Sequence, residues 1–130
     1  MEKMPAEVPS EAGKAELARR DAASCSALSD VVTIVENADL GVSAGRMEVQ
    51  EQQGWYELAA RVLGRIPSSD DTVLGRGIAD LQAIAPGVGA GEGTTPEGFD
   101  SLAWHDTLAT LVGPCEAVDA ELVIASFTGG

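Results

Sequence analysis

Two cysteines, Cys25 and Cys115, stand about 90 residues apart in a chain of 130 residues, and nothing else in the sequence constrains the fold as strongly. Neither belongs to a Cys-x-x-Cys pair, so neither a zinc site nor a redox-active motif is indicated. A bond between them would close a loop for which chain entropy alone gives about 4–5 kcal/mol. That is comparable with the net stability of a small domain. The other reading is two buried free thiols packed as small hydrophobes. Position favours the bond. Each cysteine falls near the middle of its helical segment and on its apolar side, and antiparallel first and last helices would bring the two midpoints level.

The helical segments follow from the spacing of apolar residues. Residues 1–9 are rich in Pro, Glu and Ala and read as a flexible lead-in or linker to one helical domain over 10–128. Ser10 can cap a first helix running toward Ala38, with Leu17, Asp21, Cys25, Leu28, Val32 and Val35 on one stripe. Asn37-Ala-Asp-Leu-Gly41 is a turn signal. A second helix is expected from about Ser43 to before Pro67, with Trp55, Leu58, Ala59, Val62 and Ile66 inward. Ser69 or Asp70 can cap a third, reaching about Ala85, with Val73 or Leu74, Ile78, Leu81 and Ile84 inward. Gly75 and Gly77 lower its propensity but allow close packing.

Residues 86–98 hold five glycines in Gly87-Val-Gly-Ala-Gly-Glu-Gly93 and Gly98, with two prolines, and read as a mobile, exposed loop. Asp100 or Ser101 can cap a last helix carrying Leu102, Leu108, Leu111, Val112, Cys115, Val118 and Leu122. Pro114 is expected to kink or split that helix. The fold expected is therefore all-α, an up-down-up-down four-helix bundle with its first and last helices joined by the disulfide. The β-branched run Val31–Val35 and the tail 121–127 leave an α+β alternative, with a short strand pair between them.

Aromatic residues are 4% of the chain, so Ala, Leu, Val and Ile must build the core, which suits helix packing better than a broad sheet. The net charge of −13 disfavours binding to nucleic acid or to an anionic membrane surface, and would favour a basic partner. No apolar stretch approaches the roughly 20 residues of a membrane span. The N-terminus has no apolar signal-peptide core. Either the protein is cytosolic or a signal has been cut away, and the linker-like start fits the second.

No motif specifies a reaction. His105 is the only histidine. Its neighbour Asp106 points about 100° away on a helix, and no activated Ser or Cys accompanies it, so no catalytic residue is assigned. The acidic residues do not follow a calcium-loop pattern, and the Gly-rich loop lacks the Gly-Lys-Ser/Thr of a phosphate cradle, so neither a metal nor a cofactor is assigned. Trp55 falls on an apolar stripe and is expected in the core, whereas Tyr56 and Trp104 lie off the main stripes. Tyr56, Trp104 and His105 are the candidate binding surface, because exposed aromatics are common contact hot spots.

These features favour a non-enzymatic exported interaction or structural domain, the extracellular or cell-surface part of a bacterial protein, with an unidentified protein partner. The Ala-, Gly- and Asp-rich, lysine-poor composition suggests the bacterial source. Two other classes stay open. One is a bundle binding a small ligand or metal in a cavity near Trp104 and His105. The other is an acidic cytosolic inhibitor or immunity-type protein that neutralises a basic partner, which requires free thiols.

Overall fold

Alanine-rich turns and surface pairs of opposite charge three residues apart, Arg19–Glu16 at 2.6 Å and Lys14–Glu11 at 4.0 Å, start a long first helix. In the computed structural model, which describes residues 11–85 and 97–124, that helix is α1, Glu11–Ser43. Its 33 residues span about 50 Å. It is followed by α2 (Val49–Gly64), α3 (Val73–Ile84), a 3-10 turn at Glu97–Asp100 and α4 (Leu102–Ala117). The architecture is an up-down-up-down four-helix bundle, and a disulfide joins α1 to α4. The lead-in at 1–9, the Ser10 cap and most of the Gly-rich loop at 86–98 lie outside the described residues.

The run Val31–Val35 is helical despite its β-branched side chains. Val31, Val32 and Val35 continue a buried stripe begun by Cys25 and Leu28, and packing outweighs their weak helix propensity. No strand occurs among the described residues, so the α+β alternative falls where it can be checked; residues 125–127 lie beyond. The turn signal at Asn37–Gly41 is also helical. Asn37 donates to the Thr33 carbonyl at 2.8 Å, and the Asp39 carboxylate accepts from Gln52 at 2.9 Å and from the Tyr56 hydroxyl. Both side chains are engaged in ways that keep the backbone free for the helix. The stop comes at Gly45, whose φ of 76° is open to glycine at little cost. Gly45 N–H donates to Val42 and Arg46 N–H to Gly41, the two bonds of a Schellman end.

The inward face of the second helical segment is partly the one expected: Ala59 and Ile66 are buried and Val62 packs against the core, but Trp55 and Leu58 do not go inside. Tyr56, Ala59, Ala60 and Leu63 are buried, while Trp55 and Leu58 are each 41% exposed. Both sets recur at helical spacing, and the neighbours of α2 select between them. The Gln82 amide of α3 donates to the carbonyls of Leu63 at 2.9 Å and Ile66 at 2.8 Å, tying the end of α2 to α3.

The cap of α3 is Thr72, later than expected. Its hydroxyl accepts from the Gly75 N–H at 2.9 Å and donates to Asp21 of α1 at 3.1 Å. Leu74, Ile78 and Leu81 point inward as expected, and Val73 does not. The close approach allowed by Gly77 is used: an added Cβ there would lie 2.4 Å from Leu111 of α4.

Ser101 caps α4, accepting from the Trp104 N–H at 3.1 Å. The helix is not split at Pro114; it runs through that residue to Ala117, and Cys115 in its last turn is tied to α1. Cys115 thus sits near the helix end rather than its middle. Leu102 and Val112, expected inward, are exposed, and Trp104 takes a core position instead.

Candidate functional site

The one covalent feature is the bond Cys25–Cys115, with Cα atoms 5.8 Å apart and both residues fully buried. It meets the expectation of a staple between first and last helices. The helix run of α1 carries Cys25 on the face that also buries Leu28 and Val35, and α4 brings Cys115 to it one helix turn after Leu111.

The aromatic residues fall differently from the sequence reading. Tyr56 is 3% exposed and Trp104 is 2% exposed, so neither can form a surface. They flank Phe99 from the 3-10 turn, with ring centroids 5.5 Å and 4.7 Å apart and both pairs edge-on. The low aromatic content concentrates here into one cluster that closes the bundle beside Asp39. The exposed tryptophan is Trp55. His105 stands on the surface of α4, away from Trp104, over a shallow apolar groove with Val32, Leu108 and Val112. Leu122 and Val123 of the C-terminal tail close the groove, and the Val123 N–H donates to Ser29 of α1 at 3.0 Å. The three residues expected to share one surface do not share it.

Two larger clefts open between α1 and α2, each of about 420 Å³. One lies under Trp55, with Ile34, Asn37, Arg46, Met47 and Glu51. The other lies where α1, the end of α2 and the start of α3 meet. Ala23, Ala27, Val62, Ile66 and Pro67 give it apolar walls, and Arg20 and Arg65 belong to its lining with Asp21. Sequence reading missed this second cleft. Its only trace there is Val62 and Ile66, placed on a stripe that the bundle core does not use in full.

Two basic side chains, Arg20 and Arg65, line that cleft. They are two of the chain's eight basic residues. Arg19 pairs with Glu16, Arg20 lies 3.6 Å from Asp71, and Arg76 donates to the Asp70 carbonyl. No group of three or more His, Cys, Asp or Glu side chains able to hold a metal occurs among the described residues.

Fold and staple together define a class: a disulfide-closed, acidic four-helix bundle. Comparison with family models, with curated proteins and with solved structures finds no match for the chain. No helix among the described residues is long and apolar enough to cross a membrane.

Proposed function

We propose that the chain is a non-enzymatic interaction or structural domain of an exported bacterial protein, held outside the cytosol with its disulfide closed. The observation that carries this reading is the Cys25–Cys115 bond between α1 and α4. Such bonds persist in oxidising compartments and are rare in the cytosol. The same bond weighs against a cytosolic acidic inhibitor, which requires free thiols. Trp55 and Leu58, half out of the bundle on α2, offer an aromatic and aliphatic contact surface in place of the buried Trp104 and Tyr56. The net charge of −13 makes the favoured partner a protein with a basic contact surface.

The test is made in cells that produce the protein naturally. Thiols are blocked with a maleimide before lysis, and the two cysteines are then counted in each cell fraction. The expected result is an unlabelled, oxidised protein in the extracytoplasmic fraction. Two labelled cysteines on a cytosolic protein would overturn the reading.

A further inference from the structure

We propose that the cleft between α1, the end of α2 and the start of α3 binds a small amphipathic anion, a single aliphatic chain ending in a carboxylate. Three observations converge on it. The walls are apolar and built from short or compact side chains, Ala23, Ala27, Val62 and Ile66, so they leave room rather than fill it. The volume of about 420 Å³ is at the lower end for ligand pockets, enough for one slender chain and too little for a two-chain lipid. The polar part of the lining carries more positive than negative charge, because Arg20 and Arg65 face only Asp21, in a chain whose net charge is −13.

The charges are also unequally occupied. Asp21 accepts from the Thr72 hydroxyl at 3.1 Å, which turns its carboxylate toward the cap of α3. Arg20 lies 3.6 Å from Asp71, an exposed pair worth little in water. Arg65 has no ion pair or side-chain hydrogen bond among the described residues. A guanidinium offers a planar fork of donors that matches a carboxylate, and an apolar wall beside it strengthens the contact by excluding water. The aliphatic chain would lie along Ala23, Ala27 and Val62, with its head at Arg65 and Arg20. This assignment does not depend on the compartment of the protein, so it stands or falls separately from the reading above.

Backbone amide NMR of the full oxidised chain tests it, using decanoate below its micellar concentration as the probe. Acetate presents the head alone, and 1-decanol the chain alone. The expected result is saturable shifts centred on Ala23, Ala27, Val62 and Ile66 with decanoate. Binding should weaken about tenfold or more in an Arg20→Gln/Arg65→Gln variant, and similarly for 1-decanol. Ala23→Leu, which fills the cleft while keeping both arginines, should abolish the shifts. Both variants change exposed residues, and their spectra report folding directly. The proposal is overturned by non-saturable shifts, by shifts centred on Trp55 or His105, or by equal affinity for decanoate and 1-decanol. Undiminished binding in the double-arginine variant would overturn it too.

Discussion

Asp119 alone, among the described residues other than glycine, holds a left-handed backbone, with φ of 59°. It ends α4 as Gly45 ends α1: the Asp119 N–H donates to Glu116 and the Ala120 N–H to Cys115, both at 3.0 Å. The reversal sends Leu122 and Val123 back toward α1. Aspartate tolerates this conformation better than most residues but not as well as glycine. Asp119→Gly is therefore expected to stabilise the protein by up to about 1 kcal/mol, seen as a higher midpoint in urea. Gln82 works in the opposite sense. Its amide donates to two carbonyls, Leu63 in the last turn of α2 and Ile66 just beyond it, so Gln82→Leu should cost about 1–2 kcal/mol in the same titration.

At the scale of the elements, the two tryptophans separate core from surface. Trp104 is wedged edge-on against Phe99, while Trp55 is 41% exposed. Trp104→Ala should cost about 3–5 kcal/mol. Trp55→Ala should cost under about 1 kcal/mol, as surface substitutions do. Thermal unfolding of the two variants distinguishes them, and sequence reading alone places them the other way round. The reason is visible in α2, where Trp55, Leu58, Ala59 and Val62 form one helical stripe and Tyr56, Ala59, Ala60 and Leu63 an overlapping one. Either could face inward by spacing, and contacts from elsewhere in the chain, the Phe99 ring and the Asp39 carboxylate of α1, hold Tyr56 in the core. In α3 no second stripe competes, and Leu74, Ile78 and Leu81 were legible from their spacing. Asn37 and Asp39 read as a turn because their usual bonds are local, whereas Asp39 instead bonds across to α2. The cleft of Arg20 and Arg65 was illegible for a related reason: its two cations lie far apart in sequence and meet only once α1 and α2 form a hairpin.

For the whole molecule, the staple is what the sequence showed most plainly. Two cysteines on apolar stripes of the first and last segments could be paired without knowing any other contact, although the position of Cys115 near the end of α4 was not foreseen. The bond closes most of the chain into one loop, from α1 through α2 and α3 to α4. The C-terminal tail then crosses back over α1 at Ser29, close in sequence to Cys25. Removing the bond, as in a Cys25→Ser/Cys115→Ser variant, should lower stability by about 2–5 kcal/mol, read from denaturant midpoints with and without reductant. Reductant should shift the parent protein toward the variant and leave the variant unchanged.

The pairing itself is tested most directly by a non-reducing tryptic map of protein purified from its natural source with its thiols blocked at lysis. Cleavage after Arg20, Arg46 and Arg76 places the two cysteines on separate fragments, 21–46 and one that begins at Gly77. The bundle predicts one linked species that separates into these two fragments on reduction. Two unlinked fragments, each carrying a blocked cysteine, would contradict the staple and, with it, the exported domain built around it.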